Sequence, residues 1–79
     1  MTTINQTIDV NAYYFAGQKH LRSFPKQIIY NQQNHTFVDG MQYLIKHGTS
    51  TIRLFDMTDG QSIFRLRNDG SSWTLIGTR

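Results

Sequence analysis

The chain has no cysteine, no glutamate and a single proline, and only 16% of its 79 residues are charged. The absence of cysteine excludes a disulfide scaffold, a thiolate zinc site and a cysteine nucleophile. No apolar run approaches the ~20 residues of a membrane span. Residues 1–7 contain no basic segment followed by an apolar one, so we expect no signal peptide. These absences lead us to expect a small, soluble, cytoplasmic protein.

The length and composition predict one folded domain covering residues 1–79. Hydrophobic residues make up 38% of the chain and aromatic residues 13%, which is more than a disordered segment usually carries. A single core of this size contributes only about 3–5 kcal/mol of stability. A second copy or a protein partner would add to that core. The net charge of +3 is a modest basic excess.

Alternation of apolar and polar residues predicts three strands in the N-terminal half. Residues 4–14 alternate with a period of two. Residues 26–30 and 35–38 form two shorter strands, and the polar tetrad 31–34 is typical of the turn between them. Pro25 suits the start of a strand. We therefore expect a hairpin after the first strand.

The segment after this hairpin predicts a short helix. Asp39 can act as its N-cap, and Met41, Leu44 and Ile45 follow at helical spacing. Gly48 is typical of the residue that follows the end of a helix. Such a helix of two to three turns would have to pack on a sheet to be stable.

The C-terminal third predicts a three-stranded meander with two tight turns. A three-residue loop, residues 58–60, places Leu54 opposite Phe64, and a two-residue type I′ turn at Asp69-Gly70 places Leu66 opposite Trp73. These turns bring one apolar set to the same face of the sheet: Ile52, Leu54, Phe64, Leu66, Trp73 and Leu75. We interpret Trp73 as a core residue that packs against Leu44 and Ile45 of the helix.

The predicted fold class is therefore α+β, with one short helix on one face of an antiparallel sheet of about five to six strands. The order of elements is β-β-β-α-β-β-β. No motif in the chain is specific to a protein family.

The predicted register gathers an unusual set of residues on the sheet face opposite the helix. Arg53 falls opposite Arg65, although like charges across strands are unfavourable. One interpretation is an anion site, another is an ordinary solvated face neutralised by Asp56, Asp59 or Asp69, and a third is a dimer seam. The candidate binding residues are Arg53, Phe55, Ile63, Arg65, Arg67, Thr74 and Ile76, and Tyr13 and Phe15 could extend the face.

Catalytic and metal-binding patterns are not found. Asp56 lies shortly before Asp59-Gly60, a pair that is typical of a turn. The chain also lacks the closing glutamate of a calcium loop. No histidine has a second one at metal-ligand spacing. No serine lies in a nucleophile elbow, and no glycine-rich phosphate loop is present. We therefore expect no enzyme, no metal and no cofactor.

These observations favour a non-enzymatic interaction module that contacts a protein partner or a second copy of itself. The alternative is a small basic nucleic-acid-binding domain that contacts phosphates through Arg53, Arg65 and Arg67. Neither interpretation involves a membrane.

Overall fold

A computed structural model describes residues 2–14, 24–70 and 72–79 of the chain. Every regular element among these residues is a β-strand, so the fold is all-β. The predicted α+β class was wrong, because it included a helix. The seven strands are β1 (Thr2–Tyr14), β2 (Phe24–Tyr30), β3 (Gln33–Thr36), β4 (Asp39–His47), β5 (Ser50–Thr58), β6 (Ile63–Asn68) and β7 (Trp73–Thr78).

The strands form one antiparallel sheet that curls into a half-barrel, in the order β3-β2-β1-β7-β6-β5-β4. Strands β3 and β4 lie at opposite ends of this order, yet only Phe37 and Val38 separate them in the chain. The Phe37 N–H donates to the Lys26 carbonyl and the Val38 N–H to the Thr58 carbonyl, both at 2.8 Å. So short a connection between the two edges requires the sheet to curl.

The segment predicted as a helix is the edge strand β4. It pairs with β5 in an unbroken register from Asp39↔Thr58 to His47↔Ser50. Gly48, with φ of 63°, begins the two-residue turn that joins the two strands, rather than ending a helix. Pairing of nine residues with a neighbouring strand outweighs the weak intrinsic stability of a helix of two to three turns.

The loop between β5 and β6 is longer than predicted. It contains residues 59–62, because Thr58 pairs with Ile63. The Asp59 carboxylate accepts hydrogen bonds from the N–H groups of Gln61 and Ser62, both at 2.9 Å, and thereby stabilises the longer loop. The true register differs from the predicted one by three residues. An odd shift turns β5 over, so that side chains predicted to face outward face inward.

The loop between β6 and β7 also contains four residues, 69–72, and is closed by a hydrogen bond of 3.1 Å from the Asp69 N–H to the Ser72 carbonyl. The predicted two-residue turn was wrong. Leu66 pairs with Leu75 rather than with Trp73. This shift is even, so the inward-facing residues of both strands keep the face that the sequence predicted.

The N-terminal hairpin confirms the sequence prediction, with a tighter turn. Strands β2 and β3 pair from Gln27↔Thr36 to Tyr30↔Gln33. The turn consists only of Asn31 and Gln32, which have φ of 53° and 62°. Two successive positive φ angles are the geometry of a type I′ hairpin turn, which suits the twist of the flanking strands.

The core lies on the concave side of the half-barrel. Trp73 is buried there, as predicted, but its neighbours are strand residues. Its ring centroid lies 5.2 Å from that of Phe55, and its indole N–H donates to the Tyr13 hydroxyl at 3.0 Å. The buried hydrophobic residues are Ile8, Ile28, Phe37, Phe55, Met57, Phe64, Leu66, Trp73 and Leu75.

Candidate interaction surface on the convex sheet

The side of β4, β5 and β6 that faces away from the core forms a mixed apolar and charged surface, which we call the convex face. Two rows of paired residues cross it. In one row Tyr43 pairs with Leu54, which pairs with Arg67; in the other, Met41 pairs with Asp56. The convex face comprises Met41, Tyr43, Ile45, Ile52, Leu54, Asp56, Ile63, Arg65 and Arg67.

Exposed hydrophobic side chains are concentrated on the β4 side of this face. Eight large hydrophobic residues are exposed in the described structure, and five of them fall within residues 38–45. Three belong to the convex face itself, namely Met41, Tyr43 and Ile45, which are 59%, 40% and 44% exposed. Monomeric proteins rarely leave such residues contiguous, and exposed apolar patches mark interaction sites.

The arginines of the convex face have acidic partners. Arg65 donates two hydrogen bonds to the Asp56 carboxylate, from Nε at 2.7 Å and from Nη2 at 2.8 Å. The hydrogen bond from Arg65 lowers the pKa of Asp56 below its ordinary value, and the same contact raises the pKa of Arg65. Arg67 donates to Asp69 at 3.0 Å. These two ion pairs make the local charge of the face close to neutral.

Two of the predicted binding residues lie on the other side of the sheet. Phe55 is fully buried in the core. Arg53 pairs with the buried Asn68, and its guanidinium carbon lies 5.1 Å from the centroid of the Phe55 ring. The predicted pair of Arg53 and Arg65 was therefore wrong, because the odd register shift in β5 separates them.

The other predicted residues lie in or beside the convex face. Ile63, Arg65 and Arg67 project from β6, and Thr74 pairs with Arg67 from β7. Ile76 lies where the pairing of β6 with β7 shifts register, between Leu75 and Gly77. The structure thus brings together Ile63, Arg65, Arg67 and Thr74, with Ile76 in the bulge beside them.

The predicted extension of the face towards β1 does not reach the arginines. The Tyr13 hydroxyl accepts the hydrogen bond from the Trp73 indole, which places this side chain at the rim of the core. Phe15 lies outside the described residues. So do residues 16–22, which include the basic residues Lys19, His20 and Arg22.

Sequence reasoning missed the apolar part of the face. Met41, Tyr43 and Ile45 alternate with a period of two, and this was the available signal for a strand. The helical spacing of Met41, Leu44 and Ile45 concealed it. Met41 and Tyr43 also line a shallow hollow of about 240 Å³, together with Asp39, Gly40, Asp56, Thr58, Ile63 and Arg79.

The acidic and histidine side chains of the described residues form no metal-binding cluster, and several have structural contacts. No three of them within residues 2–14, 24–70 and 72–79 come together as a metal site would require. Backbone N–H groups of Ser62 and Gln61 lower the pKa of Asp59, so this carboxylate stabilises its loop. His35 packs beside Phe64, with ring centroids 5.0 Å apart.

No protein-family model, curated protein or solved structure matches the chain. No described segment forms a helix long and apolar enough to cross a bilayer.

Proposed function

We propose that the chain is a non-enzymatic interaction module that binds a second copy of itself through the convex face. The exposed apolar side chains of Met41, Tyr43 and Ile45 on one edge strand carry the proposal. Protein interfaces combine an apolar and aromatic centre with arginines and a polar rim. The convex face has this composition, because its two rows begin with Met41 and Tyr43 on β4 and end with Arg65 and Arg67 on β6.

The charge pattern supports a protein surface as the partner. Arg65 and Arg67 are each paired with an aspartate, so two identical faces can approach without strong repulsion between like charges. A phosphate would have to compete with Asp56 for a guanidinium that already donates two hydrogen bonds.

The size of the core supports the same conclusion. A single core in a chain of 79 residues supplies only a few kcal/mol of stability. Binding between folded copies stabilises the folded state further by mass action. Burial of the β4 side chains would remove apolar surface from water at roughly 25 cal/mol per Å².

The nucleic-acid alternative remains a prediction without a specific observation in its favour. It depended on Arg53, Arg65 and Arg67 forming one cluster, and Arg53 lies on the opposite side of the sheet from the other two.

Sedimentation velocity over a wide range of protein concentration tests the proposal. We expect the unmodified chain to shift from monomer to dimer as its concentration rises, and Ile45→Lys to remain monomeric. Ile29→Lys is a matched control, because Ile29 on β2 is 42% exposed against 44% for Ile45. An unmodified chain that stays monomeric throughout overturns the proposal, as does an equal effect of both lysine variants.

A further inference from the structure

In the described part of the chain, the free edge of β4 is the feature least typical of natural sheets. Among the described residues β4 pairs only with β5, so the main-chain groups along its other side have no strand partner. Natural proteins usually protect such an edge with proline, a bulge or several charges. β4 has nine residues, an unbroken register and no proline, and its centre, residues 41–45, carries no charge.

The hydrogen-bonding pattern of the sheet shows which residues face this edge. Ile63 and Arg79 exchange both main-chain hydrogen bonds, at 2.8 and 2.9 Å, so Ile63 directs its main-chain groups towards β7. Alternation along the antiparallel register then directs the groups of Phe64 towards β5 and those of Thr58 towards β4. It follows that the even-numbered residues of β4 present their N–H and C=O groups at the free edge: Gly40, Gln42, Leu44 and Lys46.

The sequence of β4 is complementary to itself in the antiparallel direction. With Tyr43 opposite its own copy, Met41 falls opposite Ile45 and Asp39 opposite His47. On the convex face, the apolar side chains of one copy then lie opposite apolar side chains of the other copy. The acidic end of each strand meets the basic end of the other, where Lys46 adjoins His47. The two-fold axis at Tyr43 also places the outward main-chain groups of Gln42 opposite those of Leu44, as an antiparallel ladder requires.

We propose that two copies of this chain join their sheets by antiparallel pairing of their β4 edges, with Tyr43 on the two-fold axis. This inference rests on the proposed function and specifies its geometry. The main-chain hydrogen bonds of the ladder supply affinity, and the alternating side chains fix the register. The contact between the two convex faces is then confined to their β4 side, where Met41, Tyr43 and Ile45 of one copy lie beside those of the other across the seam, while β5 and β6 stay outside it.

Cysteine cross-linking tests the register directly, because the chain has no cysteine of its own. Residues opposite each other at a non-hydrogen-bonded position have Cα atoms about 4.5 Å apart, which a disulfide can bridge. We expect Tyr43→Cys to form a disulfide-linked dimer under mild oxidation. Met41→Cys alone should not form a disulfide-linked dimer. In the proposed pairing the two Met41 residues are offset by four residues along the strands, which is about 14 Å at the rise of an antiparallel strand. Ile45→Cys alone should not for the same reason, whereas a mixture of these two variants should link.

A proline variant tests the role of the main-chain edge. Leu44→Pro removes an N–H that points away from β5, so the monomer keeps its β4–β5 hydrogen bonds while the edge loses a donor. We expect the dissociation constant of the dimer to rise at least tenfold relative to Leu44→Ala, the control that keeps the N–H. Tryptophan fluorescence of Trp73 in the core checks that both variants are folded.

The outcomes separate the two proposals. An unmodified chain that dimerises while neither Tyr43→Cys nor the mixed pair cross-links overturns the edge pairing and leaves the proposed function intact. Equal dissociation constants for the Leu44→Pro and Leu44→Ala dimers would likewise overturn the edge pairing and leave the proposed function intact. An unmodified chain that is monomeric at all concentrations overturns both.

Discussion

Arg65 and Asp56 face each other on neighbouring strands and are joined by two parallel hydrogen bonds of 2.7 and 2.8 Å. The carboxylate side chain is only 10% exposed and the arginine side chain 36%. This bidentate contact cross-links β5 and β6 within the row of the convex face that begins at Met41. It also keeps the convex face from being strongly basic, although Arg65 lies on it.

Replacing Asp56 by asparagine should destabilise the fold by about 1 kcal/mol, because the charge-assisted contact is lost while Arg65 remains partly solvated. Urea denaturation measures this difference. Asp69→Asn is the matched control, since the Arg67–Asp69 pair is more exposed on the acidic side and is joined by a single contact of 3.0 Å. We expect its effect to be below about 0.5 kcal/mol. A larger loss in the control than in Asp56→Asn would contradict the role assigned to the Arg65 pair.

Stability should fall in acid because the pKa values of Asp56 and Asp59 are lowered in the folded state. An aspartate in the unfolded chain titrates near pH 4. The stabilisation from the two carboxylates is therefore complete above about pH 4 and is lost as the pH falls through their lower folded pKa values. Thermal unfolding measured as a function of pH should show this decline. The double variant Asp56→Asn with Asp59→Asn should have a flatter profile, and an unchanged profile would show that other groups cause the decline.

Gly40→Ala should destabilise the fold by about 1–3 kcal/mol through overpacking. A Cβ at this position would lie 2.7 Å from Met57 Cε and 3.0 Å from the Asp56 carbonyl oxygen, and would also overlap Met57 Sδ. A double-mutant cycle with Met57→Ala tests this cause by chemical denaturation. Gly40→Ala should cost less in that background, where the methionine is shortened. An identical cost in both backgrounds would exclude a clash with Met57.

Titration with short mixed-sequence oligonucleotides should leave the amide signals of Arg65, Arg67 and Thr74 unchanged at low and at moderate salt. Each of the two arginines already pairs with an aspartate, so a phosphate would have to compete with Asp56 for Arg65 and with Asp69 for Arg67. Dilution of the protein alone should instead shift the signals of β4, because it separates the copies. Shifts on β6 that depend steeply on salt would support phosphate binding and count against the proposed function.

The inward faces of β6 and β7 could be predicted from the sequence because apolar alternation at Phe64, Leu66, Trp73 and Leu75 tolerates any even error in register. The face of β5 could not be predicted in the same way. Both loops of the meander begin with an aspartate close to a glycine, a pattern that fits turns of two, three or four residues. The hydrogen bonds that the Asp59 carboxylate accepts from the N–H groups of Gln61 and Ser62 determine the length of the first loop, and they become visible only in three dimensions.

The residues of the candidate site could also be predicted only in part. Arg65 and Arg67 followed from β6, whereas Arg53 was misplaced with β5. Tyr43 was missed because a segment with apolar residues at both helical and strand spacing is ambiguous when it is read alone. The segment is a strand because it pairs with β5, which begins at Ser50, three residues after β4 ends at His47.

The position of β7 has a consequence for how the chain folds. β7 lies in the middle of the sheet and pairs with β1, so that Thr2 is opposite Thr78. The remaining strand pairs are hairpins between segments close in sequence, and can form early. The β1–β7 pair must instead close nearly the whole chain into a loop, and contacts of such long sequence separation slow folding. We therefore expect the joining of these two strands to limit the folding rate, and the facing edges of β1 and β7 to remain open to other chains until it occurs.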